Sequence, residues 1–527
     1  MKLSNKGISP VFQSGRIFIV IVCVAAFSAV ICYRLYVIAS QRHEYYIAQA
    51  EKQYQNPSTL LTGRGDIYFS DSRNNSLRLA SSNKKEGDKI IRVYPAKISA
   101  SHVLGFVGYK GLSRAGQYGI EAYYDDILTG STQIQPVTKN TTLSSFKKIL
   151  SIFSDDTIAS SNNSVDDSKN GGVLKNGEDI VLTIDPNVQF YVDSVLGDLL
   201  KKWSSPSGTI IVQDPKTGAI IAMSSSPSFD PNIYQKSSLD MYLNPAVQAI
   251  FEPGSSFKPF TMAAAINSGA VGPDTTYNDT GEVNFGKYTV MNHDKRASGI
   301  QTMTQVLERS LNTGVIFAQR KTGNDQFLNY VVSFGFGQKT GVDLSGEVSG
   351  NISNLFEGRP INFATASFGQ GISVTPLQLI NGISAIANDG KLMRPYLVKK
   401  IIHADGSETE TKPKIIGSPI SDRTAATIQK MLTEVVDNGF DRARISGYDV
   451  AGKTGTAQIP DASGAYGDEN EFIHDFVGFA PSYDARFTIL IKMDRPKGIE
   501  FASNSLTPVF ADLAQFLLRY YNIPPTR

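Results

Sequence analysis

The sequence predicts an α+β fold, in which one mostly antiparallel sheet draws strands from both ends of a domain and a helical subdomain is inserted between them. Three observations carry this expectation. Two β-rich runs, 209–212 and 219–223, are joined by Asp214-Pro-Lys-Thr-Gly218 and read as a hairpin. A long middle section favours helix at 257–266, 305–309, 315–319, 377–387 and 425–436. Strands return only near the end, at 448–451, 472–479 and 487–492, the last two joined by Pro481-Ser-Tyr-Asp484. The cleft between sheet and helices is where a site is expected.

Taken in order, the chain starts with a tail, 1–15, that holds Lys2 and Lys6, and Arg16 follows with no acid before it. Residues 17–33 carry no charge and cover about 26 Å of helix, enough with 35–38 to span a bilayer past a snorkelling Arg34. A transmembrane helix over 16–40, with a cytoplasmic N-terminus by the positive-inside rule, is the reading. The alternative is a cleaved signal peptide ending at the small residues Ala39-Ser40, but the stretch is long for one and no A-x-A site follows.

Residues 41–176 read as a polar, irregular, elongated domain. They contain a Ser/Thr/Asn/Asp-rich insertion at about 131–174, in which Phe146, Ile149, Leu150 and Phe153 allow at best a short helix. A second domain spans 177–527. It opens on the apolar run 180–184 and a helix at Val188, Val192, Val195 and Leu199, capped by Asp185. A last amphipathic helix starts near Pro508 and sets Phe510, Leu513, Phe516 and Leu517 on one side.

Composition excludes several function classes. With 51 Lys+Arg against 49 Asp+Glu and no dense basic run, nucleic acid is a poor partner. Both cysteines, Cys23 and Cys32, lie in the apolar N-terminal segment, so a Cys nucleophile is ruled out downstream. The five histidines form no His-Glu-x-x-His or similar spacing, so no metal and no cofactor is expected. His474-Asp475 suggests part of a Ser-His-Asp triad, but it stands in an alternating strand, where a satisfied or exposed histidine is the simpler reading.

The informative segment is Glu252-Pro-Gly-Ser255-Ser-Phe-Lys258-Pro259, followed by an apolar helix. Pro259 lacks an N–H and is harmless only in a first helical turn, so the helix must begin near Ser255. The free N–H groups there favour developing negative charge, and Lys258, three residues on, can reach the Ser255 hydroxyl. The competing reading is an N-cap serine beside a solvated lysine. Ser-x-x-Lys alone is a poor signal, since it also occurs at Ser81, Ser82, Ser144 and Ser145, all in polar segments.

Two further elements follow in order. Ser310-Leu-Asn312 lies between two helical runs, whereas the second copy, Ser349-Gly-Asn351, is in a Gly/Ser-rich loop. Lys453-Thr-Gly-Thr456 follows the short strand 448–451, whereas Lys216, Lys321 and Lys339 begin copies that read as turns. This trio is a known signature of β-lactamases and penicillin-binding proteins. The chain resembles a class B penicillin-binding protein over nearly its whole length. The likeness also runs through Arg64-Gly65, His102 to Glu121, Leu182-Thr-Ile-Asp185, Pro227-Ser-Phe-Asp-Pro-Asn232, Gly369-Gln-Gly371, Thr375-Pro-Leu-Gln378 and Phe476-Val-Gly-Phe-Ala-Pro481. Where the family has Asp-Arg-x-Gly after Arg-Gly, this chain reads Ser70-Asp-Ser-Arg-Asn-Asn75.

The resemblance implies a transpeptidase domain over 177–527 with a five-stranded sheet, and an elongated, β-rich pedestal of the dimerisation type over 41–176. It implies a plasma-membrane anchor with the catalytic domain outside. Ser255 would be the nucleophile, Lys258 the base and Ser310 the bridge for proton transfer, with Asn312 holding the substrate amide. Lys453, Thr454, Gly455 and Thr456 would receive the terminal carboxylate of a D-Ala-D-Ala stem peptide. The implied partners are that donor, an acceptor amine, β-lactam inhibitors and a membrane glycosyltransferase. A β-lactamase shares the motifs but needs neither anchor nor pedestal, and a non-catalytic scaffold would not need all three motifs intact.

Overall fold

The computed structural model describes residues 22, 24–29, 31, 63–74, 76–87, 89–110, 113–129, 177–459 and 471–527. The described residues of 1–60 are helical. Among the described residues no helix is long and apolar enough to cross a membrane. The expected span 16–40 falls largely outside them, and the expected insertion at 131–174, with its short helix, falls wholly outside.

In the larger unit, β1 (Ile67–Asp71), β2 (Ser76–Glu86) and β3 (Lys89–Val93) form an antiparallel meander. Two short strands, β4 (Phe106–Lys110) and β5 (Ser113–Gln117), follow. β6 (Asp179–Leu182) pairs parallel to β1, so one six-stranded sheet crosses the 176/177 boundary. The Arg64 guanidinium anchors this region. It bonds the Glu121 carboxylate, which also accepts from Arg92 Nε at 2.8 Å, from Ser81 Oγ at 3.0 Å and from the Tyr94 hydroxyl at 3.2 Å.

Asp185 caps α1 (Pro186–Lys202) as expected, accepting the N–H groups of Asn187 and Val188 at 2.9 and 3.3 Å. The expected hairpin is β7 (Ser207–Gln213) with β8 (Ile220–Ser226). Next come α2 (Lys258–Asn267) and four short strands, β9 (Thr276–Asp279), β10 (Glu282–Phe285), β11 (Tyr288–Met291) and β12 (Gly299–Thr302). Helices α3 (Met303–Glu308), α4 (Asn312–Thr322), α5 (Asn324–Ser333), α6 (Pro360–Ala366) and α7 (Pro376–Ala387) build the helical block. Four more strands follow: β13 (Leu392–Met393), β14 (Val398–Ile402), β15 (Glu408–Glu410) and β16 (Ile415–Gly417). The expectation that strands return only near the end is therefore corrected. These eight pieces are two to five residues long, too short to show a period, and β14 and β15 complete the sheet begun by β1.

After α8 (Asp422–Gly439), the strands β17 (Ala451–Gln458), β18 (Phe472–Ala480) and β19 (Phe487–Asp494) join the hairpin in the order β17-β18-β19-β7-β8. All four pairings are antiparallel, as the sequence predicted. Strand alternation divides the core. Ile211, Val477, Phe479 and Leu490 face a cluster that includes Phe260 of α2 and Ile383 of α7. Ile210, Val212, Phe476, Ile489 and Ile491 face α1 and the last helix, α9 (Thr507–Tyr520), through Val192, Phe510 and Leu513. Two-sided burial of this kind explains why the strands read as near-continuous apolar runs.

Candidate active site

Ser255 lies in a single 3-10 turn, Gly254–Phe257, that runs directly into α2 at Lys258. The helix proper thus begins one turn later than the sequence reading placed it, with Pro259 still in its first turn. Two backbone ties hold the turn in place. Gly254 N–H donates to the Gly369 carbonyl at 3.1 Å, and Gly371 N–H donates to the Glu252 carboxylate at 2.9 Å. A Cβ at Gly369 would lie 2.2 Å from the Gly254 carbonyl oxygen, which explains a glycine there.

Lys258 is wholly buried. Its Nζ donates to the Ser310 carbonyl and, at 3.0 Å, to the Ser310 Oγ. Among the described residues it makes no hydrogen bond to Ser255, so the direct contact expected from the one-turn spacing is not made and the amine is held by Ser310 instead. Ser310 sits between α3 and α4 with φ +56°, a left-handed backbone that is uncommon outside glycine. That conformation aims both of its oxygens at Lys258. Asn312 begins α4, and its Nδ2 donates to the Met291 carbonyl at 2.9 Å. Burial, followed by the neighbouring Lys453, holds the Lys258 amine well below the usual lysine range. That direction favours the neutral amine, the form able to accept a proton.

Lys453 is placed by β17, the free edge of the five-stranded sheet. The Lys453-Thr-Gly-Thr456 segment is part of this strand and does not follow one, because the strand starts at Ala451 rather than Tyr448. Lys453 Nζ is buried, 3.2 Å from the Thr454 carbonyl and 5.3 Å above the Phe440 ring. Burial pulls it down to about 7, against an upward pull from Asp475. Thr454 and Thr456 alternate to the other side of the strand, and the Thr456 Oγ1 accepts the Ala502 N–H at 3.2 Å. The Ser255 turn packs directly on β17: a Cβ at Gly455 would lie 2.4 Å from the Pro253 carbonyl and 2.1 Å from the Asp475 carboxylate. Gly455→Ala is therefore expected to push the strand from the turn and slow labelling of Ser255 by a serine-acylating probe about 100-fold. Labelling at the wild-type rate would contradict this packing argument.

Three other copies of the motifs among the described residues have partners of their own away from this cluster. Ser81 bonds Glu121, Lys216 pairs with Asp484, and the Thr340 hydroxyl donates to Glu347. His474 is a satisfied strand histidine, with Nδ1 2.9 Å from Ser505 Oγ and Nε2 3.0 Å from the Glu500 carbonyl. Burial holds it at about 4, neutral and on the far side of the sheet from Ser255. Among the described residues no group of three or more His, Cys, Asp or Glu could hold a metal.

Residues 208–515 match a family model described as the penicillin binding protein transpeptidase domain, and residues 79–150 match the penicillin-binding protein dimerisation domain. This chain belongs to the class B penicillin-binding proteins. It is 35% identical over 445 residues to stage V sporulation protein D of Bacillus subtilis, covering 83% of this chain and 65% of that one. It is 34% identical to penicillin-binding protein PbpB of Mycolicibacterium smegmatis, over 66% of this chain and 55% of the relative. The chain thus spans a little over half to about two thirds of these curated relatives. The solved penicillin-binding protein 3 of Mycobacterium tuberculosis superposes with a TM-score of 0.73 at 29% identity, over 88% of this chain and 97% of that one. That protein has also been solved with aztreonam and with ampicillin. Asp475, weighed in the sequence only as part of a histidine triad, is an acid on the inward face of β18 between Ile473 and Val477, a place that reading did not give it. The alternation of that strand was the signal that it is buried.

Proposed function

We propose that this chain is a peptidoglycan D,D-transpeptidase that cross-links stem peptides through a Ser255 acyl-enzyme and is inhibited by β-lactams. The observation that carries the reading is the buried Lys258 amine, held by Ser310 one turn from Ser255 and facing Lys453 on a free sheet edge. An unperturbed lysine near pKa 10.4 would be neutral in only about one molecule in a few thousand at pH 7. Burial and a second cation remove that obstacle.

In the proposed sequence, the stem peptide lies along the β17 edge as an added strand, its terminal carboxylate at that edge with Lys453 on one side and the Thr454 and Thr456 hydroxyls reaching it from the other. Lys258 takes the Ser255 proton by way of Ser310. The oxygen attacks the penultimate D-Ala carbonyl, with the substrate amide held by Asn312. D-alanine leaves with a proton, and the acyl-enzyme remains until an amine of a neighbouring stem attacks it and restores Ser255. A β-lactam follows the first half and stops there. The apolar segment 17–33 supports a single-pass anchor in the bacterial plasma membrane, with the N-terminus cytoplasmic and the catalytic domain outside. Work in division or elongation beside a membrane glycosyltransferase completes the proposal.

The test is peptide mapping after incubation with benzylpenicillin. One penicilloyl group on the peptide carrying Ser255 is expected, and an adduct on another residue, or none, would overturn the assignment.

A further inference from the structure

Asp475 is a buried carboxyl that the scheme above does not use. Its side chain is fully buried, and neither oxygen has a hydrogen-bond partner among the described residues. An ionised carboxylate in such a place needs a compensating charge. Its register partner on β17 is Gly455, in the middle of the carboxylate-receiving strand, and the close approach of Oδ2 to that glycine leaves no room for a side chain.

The groups facing it are few. Lys492 is its partner on β19, but that ammonium is paired with Asp494 and stands 5.1 Å over the Phe251 ring. The Ser256 hydroxyl on the nucleophile turn is adjacent, but its proton goes to the Pro253 carbonyl at 2.9 Å. Lys453 lies two residues from Gly455 on the same strand face and has no acid of its own in contact among the described residues. Lys258 faces Lys453 from α2.

We infer that Asp475 is a positioning residue for the proposed transpeptidase reaction: its carboxylate is the counter-charge that keeps the buried Lys453 ammonium charged and, through that ammonium, keeps Lys258 neutral. The inference rests on the reading of Lys453 as the carboxylate receptor. Two directions agree with it. Burial alone draws Lys453 toward the neutral amine, and Asp475 is the group that opposes this. Burial pushes Asp475 up to about 7, and the Ser256 hydroxyl, Lys492 and Lys453 pull against that. The three groups lie on the elements packed around the nucleophile turn: Asp475 on β18, Lys453 on β17 and Lys258 on α2.

The experiment compares acylation by benzylpenicillin and by its methyl ester, across pH, in the wild type and in Asp475→Asn. The wild type should prefer the free carboxylate. In the variant that preference should fall about tenfold, and the alkaline limb of the rate profile, where Lys453 loses its proton, should move down by about one pH unit. A variant that keeps both the preference and the limb, whatever its melting temperature, overturns the inference alone. A wild type with no preference for the carboxylate overturns the Lys453 reading and the inference with it. Asp475→Ser, which also removes the charge but is smaller, gives the same readouts if the asparagine variant does not fold.

Discussion

Lys258→Met is expected to slow acylation of Ser255 by about 1000-fold at neutral pH, within the range that a positioned general base contributes. The Ser255 hydroxyl stays in place, so the loss falls on the chemical step, and Ser255→Ala, which carries no adduct at all, sets the floor. Stability should move the other way. The folded Lys258 titrates well below 10.5, so between those two values the unfolded chain binds the extra proton. Stability from this residue is therefore complete above the unfolded value and is lost as pH falls through that window. Methionine removes the penalty. Ser310 is only half-buried, so water can replace the lost donor to its oxygens. At pH 7 the variant should melt no lower than the wild type, and the gap should close as pH rises toward 10.5. Loss of both activity and stability would mean that Lys258 is a structural strut. Penicillin-binding rates and thermal melts measured on the same samples separate the two outcomes.

Much of this chemistry was legible because the residues that carry it also punctuate the chain. Pro259 marks the helix that presents Ser255, and Asp185 marks the start of α1. The near-continuous apolar runs of β18 and β19 give two strands of the right sheet. What escaped is non-local. β14 pairs with β6 more than two hundred residues away, and no local pattern in 398–402 states that partner. Lys453-Thr-Gly-Thr456 was set just after a strand because a polar, glycine-bearing stretch resembles a turn, yet pairing with β18 holds it extended as the sheet edge. The backbone of Ser310 escaped for a similar reason. Its left-handed φ occurs where the chain passes from α3 to α4, and serine itself has no preference for it. Asp475 was visible as an acid among inward-facing apolar positions, but its meaning depends on three lysines that come together only in the fold.

Glu121→Gln is expected to cost about 3 kcal/mol of folding stability, the low end for breaking a buried ion pair, because Arg64 keeps Asp125 at 2.7 Å and Arg92 keeps Asp66 at 3.9 Å. Glutamine keeps the shape, but only one of its two terminal atoms accepts, so it retains the bonds from Arg92, Ser81 and Tyr94 and turns an NH2 donor toward Arg64, or the reverse. It cannot neutralise the two guanidinium groups, which are 5% and 7% exposed. Burial works against the Glu121 carboxylate, but Arg64 and then Arg92 outweigh it and hold the acid at about 2, against a model-compound value of 4.5. A depressed carboxyl contributes stability that is present above the unfolded value and lost as pH falls through the folded one. The wild-type advantage should therefore be full above pH 4.5 and shrink between there and about 2. Thermal melts of both proteins across that range give the result directly. A constant gap down to the acid end would mean that glutamine perturbs packing and that the charge contributes little. The consequence for the enzyme is indirect. Glu121 ties the segment after β5 to β2 and β3, and β2 adjoins β1, which pairs with β6 at the root of the catalytic domain. At a temperature where the variant remains folded, the penicillin-binding rate should stay within about twofold of the wild type, since none of these groups touches the Ser255 turn.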